Sequence, residues 1–213
     1  MAQEKRFLRL NKQEWKENID SFIWAIALAL AIRTFIIAPF KIPSGSMRPT
    51  LIEGDRILVT KFEYRLHPPT RGDIVVFYYP NEWHPITERV HQFFDASRPV
   101  GARFSQLLTA GRPFIKRLVA VSGDHVEIRA GHLYINGALL DSNQVFRSNH
   151  YYNDGMYGRE GQVIEVPADS YFVLGDNSGS SHDSRFWGFV PKRLLIGRAL
   201  CIFWPPTRWR LLH

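Results

Sequence analysis

A run of apolar residues near the N-terminus constrains this chain more than any other feature. It reads Ser21-Phe-Ile-Trp-Ala-Ile-Ala-Leu-Ala-Leu-Ala-Ile32, is interrupted by Arg33-Thr34, and resumes as Phe35-Ile-Ile-Ala-Pro-Phe40. The hydrocarbon core of a bilayer takes roughly 20 apolar residues in a helix. The run therefore predicts one transmembrane helix over residues 21–40, with Arg33 snorkelling from near one end. Residues 1–20 carry Lys5, Arg6, Arg9, Lys12 and Lys16, which predicts a cytoplasmic N-terminal tail and puts everything after Phe40 outside. A cleavable leader is the competing reading, because Ala27, Ala29 and Ala31 resemble a cleavage site. Those alanines lie inside the run and Phe35–Phe40 resumes it, so a retained anchor fits better.

The remaining residues, 41–213, are enough for one medium domain with a real core. Net charge is +7, with the basic residues spread along the chain rather than gathered into a block. That suits lipid headgroups better than nucleic acid, for which no binding signature is present. Cys201 is the only cysteine, so neither an internal disulfide nor a cysteine metal site is available. Short β segments dominate: Asp55–Thr60, Asp73–Tyr79, Phe114–Val121, Val163–Val166, Tyr171–Leu174 and Gly197–Trp204. His125–Arg129 and His132–Ile135 predict a hairpin about Ala130-Gly131, followed by a turn at Asn136-Gly137. The fold class is mainly β, an antiparallel body with one N-terminal transmembrane helix, and residues 124–170 form a β-rich subdomain. Residues 80–113 differ. Ile86, Val90, Phe93 and Phe94, then Phe104, Leu107 and Leu108, recur at helical spacing beside Arg89, Arg98, Arg103 and Arg112. They predict two short helices, packed on the sheet or lying on a membrane surface.

Three stretches carry chemistry. In Pro43-Ser-Gly-Ser-Met-Arg-Pro-Thr-Leu51, two prolines stiffen a turn in which Gly45 separates Ser44 from Ser46. Such a turn presents hydroxyls and a backbone N–H close to the anchor. In Ile115-Lys-Arg-Leu-Val, Lys116 and Arg117 alternate across a strand, so one of them faces inward. A buried lysine loses proton affinity and in its neutral form can take the proton of a serine hydroxyl. The third stretch, Gly175–Gly188, is dense in turn-forming side chains. There Asp183 and Arg185 can pair, and Ser181 or Ser184 can orient a lysine amine. His182 reads as a loop residue and not a base.

Together with Arg71-Gly-Asp-Ile-Val-Val-Phe77, these stretches resemble, in their order and behind an anchor, bacterial type I signal peptidase. This is a membrane-bound serine–lysine endopeptidase that removes signal peptides from exported proteins. The resemblance covers the anchor and nearly the whole chain after it. It implies Ser46 as nucleophile, Lys116 as general base, and an oxyanion hole from the Ser44 hydroxyl and the Ser46 N–H. It implies that Ser181 orients the lysine amine and that Asp183 and Arg185 support the loop. It further implies that Phe40, Ile42, Pro43, Met47, Leu51, Phe114 and Ile115 line pockets for small side chains at the first and third positions before the cut. The implied partners are such preproteins, the phospholipid bilayer and, as a further candidate, the translocation machinery, with no cofactor, metal or nucleic acid. The implied site is the bacterial inner membrane, crossed once, with the catalytic domain on the outer side.

The chain departs from the family pattern in three ways. Ser122-Gly-Asp stands where Pro-Gly-Asp is usual, residues 80–113 make a longer connection, and no cysteine pair is present. A serine–lysine autoprotease of the repressor type would carry a DNA-binding domain where this chain has its apolar run. An inactive membrane-anchored β-domain that binds exported chains would have no need of both Ser46 and Lys116.

Overall fold

The computed structural model describes residues 12–80, 111–153 and 155–212. The expected surface helices of residues 80–113 fall, but for their ends, outside these. The described residues open with helix α1 (Lys12–Phe35), whose large apolar side chains are exposed, from 41% at Ile32 to 75% at Trp24. Strand β1 (Ile37–Lys41) follows directly. The expected helix over 21–40 is therefore corrected: it starts earlier and stops at Phe35. Pro39 explains the stop, since it lacks an N–H and biases Ala38 towards extended backbone. Among the described residues, no helix is long and apolar enough to cross a membrane.

Among the described residues, the body holds two antiparallel sheets. The larger contains β1, β2 (Arg56–Thr60), β3 (Ile74–Tyr78), β4 (Pro113–Ala120), β9 (Ser170–Leu174), β10 (Val190–Pro191), β11 (Leu195–Trp204) and β12 (Arg210–Leu211). Its order is β1-β2-β11-β3-β4-β9-β10, with β12 beside β11. The smaller contains β5 (His125–Arg129), β6 (His132–Ile135), β7 (Ala138–Leu139) and β8 (Val163–Glu165), in the order β7-β6-β5-β8. Short helices α2 (Glu63–Leu66), α3 (Gln144–Ser148) and α4 (Ser184–Trp187) fill connections.

Side-chain alternation assigns the cores. In β3, Ile74 and Val76 join a cluster with Ile57, Val59 and Ile115, while Val75 and Phe77 join another with Leu118, Tyr171 and Val173. Both faces are covered, which is why β3 reads as a continuous apolar run. In the smaller sheet only one face is covered. Val126, Ile128, Leu133 and Ile135 pack with Phe146, Phe172 and Leu174, and the intervening residues are partly or fully exposed. The two expected tight turns form, with Ala130-Gly131 and Asn136-Gly137 all at positive φ. Asn136 also accepts from the His125 N–H at 2.8 Å, which ties the turn back to β5.

Candidate active site

The Ser-Gly-Ser stretch leaves β1 and closes as a single 3-10 turn over Gly45–Met47. Met47 and Leu51 hold it in place, both fully buried among Ile42, Ile57 and Val59. They lie beneath the site as core, and of the expected pocket residues these two are not in the lining of the clefts described below. The turn delivers Ser46, 8% exposed, against the middle of β4.

There the Lys116 Nζ donates to Ser46 Oγ at 2.8 Å and to the Ile115 carbonyl at 3.0 Å. Lys116 is 3% exposed, and burial lowers its pKa from 10.5 to about 8. Asp183 and Asp176 pull the value back up and Arg185 pushes it down, so desolvation is the dominant cause. An amine of this kind beside a hydroxyl can accept its proton, which is the requirement for nucleophilic acyl transfer by serine.

Only one of Lys116 and Arg117 was expected to face inward, yet both are buried. Arg117 donates from Nε and Nη2 to the two carboxylate oxygens of Asp176, at 2.8 and 2.7 Å, and from Nη1 to the Gly72 carbonyl at 2.6 Å. The guanidinium is thus fully desolvated but held by a two-pronged carboxylate bond, the arrangement that makes burial of arginine tolerable.

The Gly175–Gly188 loop clasps the serine turn from the other side. The Asn177 side chain donates to the Gly45 carbonyl and its backbone N–H to the Ser46 carbonyl, each at 3.0 Å. Gly175 lies so close that a Cβ there would stand 2.1 Å from Ser181 Oγ and 2.5 Å from the Ser46 carbonyl oxygen. Only glycine fits. The expected Asp183–Arg185 pair is formed, with Nε to Oδ1 at 2.9 Å and both residues buried. Asp183 also accepts from the Gly175 N–H at 3.0 Å, and Arg185 reaches the Ser178 and Tyr152 carbonyls at 2.7 Å each. This pair locks the loop at Gly175 and Ser178. Ser181 differs from expectation: its Oγ is buried without a hydrogen-bond partner, and Lys116 bonds Ser46 and Ile115 instead.

A cleft of about 590 Å³ opens over the pair, lined among others by Ser44, Ser46, Phe114, Lys116, Asn177 and His182. Ser44 is exposed in extended backbone on this wall. The His182 ring stacks on Phe186 at 5.0 Å. Beside it lies a smaller, mostly apolar cleft of about 220 Å³, with Phe40, Ile42, Pro43, Phe114 and Ile115 in its walls. Five of the seven expected pocket residues are brought together here. Among the described residues no three His, Cys, Asp or Glu side chains converge as a metal-binding group. Sequence reasoning missed Arg117–Asp176, Asn177 and Gly175. Their only local signal was the density of turn formers from Gly175 onward.

Comparison with known proteins gives the context of this geometry. The family described as signal peptidase, peptidase S26, matches residues 15–204. A probable signal peptidase I-2 of Synechocystis sp. is 39% identical, the alignment covering 93% of this chain and 77% of that protein. A signal peptidase I of Leptolyngbya laminosa is 40% identical, over 90% of this chain and 81% of that one. A crystallised signal peptidase I from Enterococcus faecalis is 27% identical and aligns with 62% of this chain and 97% of its own, with a TM-score of 0.39. The family match and the two cyanobacterial likenesses together establish that the chain belongs to the signal peptidases of the peptidase S26 family.

Proposed function

We propose that this chain removes N-terminal signal peptides from exported preproteins, with Ser46 as nucleophile and Lys116 as general base. The observation that carries the reading is the 2.8 Å contact between Lys116 Nζ and Ser46 Oγ, made by an amine whose pKa is about 8. An extended preprotein segment lies along the cleft, with small side chains at its first and third positions before the cut. The apolar walls formed by Phe40, Ile42, Pro43, Phe114 and Ile115 suit small uncharged side chains. Ser46 attacks the scissile carbonyl while neutral Lys116 takes its proton. The Ser44 hydroxyl and the Ser46 N–H receive the oxyanion, each donor contributing about 3 kcal/mol in the transition state. Lys116 returns the proton to the leaving amine. It then activates the water that hydrolyses the acyl-enzyme. Ser181 supports the amine through a small shift of its unpartnered hydroxyl. Asp183 and Arg185 keep the loop in place.

The same reading puts the protein at the bacterial cell membrane. The exposed apolar side chains of α1 need a non-aqueous surrounding, and the basic residues of 1–20 favour the cytoplasmic side. The body then stands on the outer side, where exported chains emerge. The test is cleavage of a purified preprotein by the full chain in detergent. Correct processing by the wild type and none by Ser46→Ala supports the reading. Undiminished processing by Ser46→Ala refutes it.

A further inference from the structure

A second cavity lies away from Ser46, at the foot of α1. Its volume is about 340 Å³, and Lys61, Tyr64, Arg65, Tyr78, Tyr171 and Lys192 are among its lining residues. We propose that this cavity binds the phosphate headgroup of an anionic phospholipid. The inference rests on the membrane association proposed above.

The position comes first. The Lys61 N–H donates to the Ile36 carbonyl at 2.9 Å, so the cavity begins where the apolar helix ends. If the exposed apolar residues of α1 lie among acyl chains, its foot lies at headgroup level.

Charge comes second. Lys61, Arg65 and Lys192 bring three cations to one cavity. Arg33, in the last turn of α1, acts on Lys61 from outside the cavity lining. Burial, and then the nearby Arg33 guanidinium, hold the Lys61 ammonium below its ordinary pKa. The acids close by are largely engaged. Glu63 and Asp73 both pair with Arg198, and Asp73 also accepts from the Tyr64 hydroxyl at 3.3 Å. Asp169 acts on Tyr171 from the β9 side, and among the described residues neither Arg65 nor Lys192 is paired with an acid.

The third observation separates a lipid from a free phosphate. The segment that supplies Lys61 and Arg65 also exposes Phe62 and Leu66, at 48% and 61%. Alternation of cations with large apolar side chains matches a surface that meets a headgroup and the start of its acyl chain together. A site for free phosphate has no use for the two apolar residues.

The experiment uses the full chain in phosphatidylcholine nanodiscs doped with phosphatidylglycerol, and reads bound lipid by native mass spectrometry. The wild type retains phosphatidylglycerol in preference to phosphatidylcholine. Arg65→Ala with Lys192→Ala lowers that retention about 30-fold, the effect of losing two cations at an anionic surface. Both side chains are exposed, and thermal unfolding checks that the fold is kept. In case charge removal disturbs the fold, Phe62→Ser with Leu66→Ser tests the acyl contact and should also lower retention. Equal retention by wild type and folded variants overturns the proposal. So does displacement of the lipid by millimolar inorganic phosphate, which marks a site for a soluble anion. A separate arm titrates short-chain phosphatidylglycerol, below its micelle concentration, onto the protein in neutral detergent. Binding there that depends on Arg65 and Lys192 supports the pocket even if the protein fails to enter nanodiscs. That failure would count against the membrane reading alone.

Discussion

Lys116 shows how one residue can carry both a cost and a function. Its folded pKa of about 8 lies below the ordinary 10.5 of a lysine, so the unfolded chain binds the proton more tightly. The cost is therefore fully present below about pH 8 and fades as pH rises towards 10.5. The difference corresponds to about 3 kcal/mol. Lys116→Met should be inactive yet more stable than wild type at pH 7, by up to about 3 kcal/mol, the gap narrowing above pH 8. Denaturant unfolding across that range measures it, and a less stable Lys116→Met would contradict the account. Activity has the same origin. Only the neutral amine accepts a proton, so kcat/KM for a short peptide should rise through a pKa near 8 and then level off. Lys116→Arg should show no such limb and no activity, because arginine keeps its proton. Ser46→Ala, Lys116→Ala and their combination should fall to a similar residual rate, as members of one unit do. The lysine was legible from sequence because a cation interrupts an apolar strand. That Arg117 is buried as well was not, since its partner Asp176 lies 59 residues away and no local pattern joins them.

At the scale of elements, the loop from Gly175 to Gly188 does the positioning. Asp183 serves the Gly175 N–H and the Arg185 guanidinium in a site with no access to water. Removing one member of such a pair leaves the other buried and uncompensated, at a cost of about 3–5 kcal/mol. Asp183→Ala should lose that much stability, and Arg185→Lys should recover little, because one ammonium cannot span Asp183, Ser178 and Tyr152. Melting temperatures of the purified variants decide this. Gly175→Ala should act differently. Its methyl group meets Ser181 and the Ser46 carbonyl, so activity falls more than stability does as the serine turn is pushed away from Lys116. Most strands, the hairpin about Ala130-Gly131 and the turn after it were legible, because β-branched runs and Gly-containing turns are local signals. The join of α1 and β1 was not read correctly: Ile36-Ile-Ala is equally apolar as helix or strand. Only Pro39 marked the change, and pairing with β2 completes it.

The whole molecule couples α1 to catalysis through β1. This strand pairs with β2 over five residues, from Ile37 with Thr60 to Lys41 with Arg56, and its Phe40 stands in the wall of the apolar cleft. One short strand thus connects the apolar helix, the edge of the large sheet and the wall of the apolar cleft. A cut on either side of β1 separates these roles. A chain beginning at Ile37 lacks α1 but keeps the edge strand. It should fold, cleave a short soluble peptide with nearly the kcat/KM of the full chain, and lose processing of preproteins held in vesicles. A chain beginning at Ile42 lacks β1 too. It exposes the backbone edge of β2, so that Ile57 and Val59 now lie on the edge strand, and such an edge pairs readily with other chains. That shorter chain should aggregate or melt at a lower temperature. Whatever remains soluble should show a raised KM for the peptide because one cleft wall is missing. Size-exclusion chromatography and peptide kinetics on the two truncations make the comparison. Equal behaviour would mean that β1 is dispensable and that Phe40 does not shape the cleft.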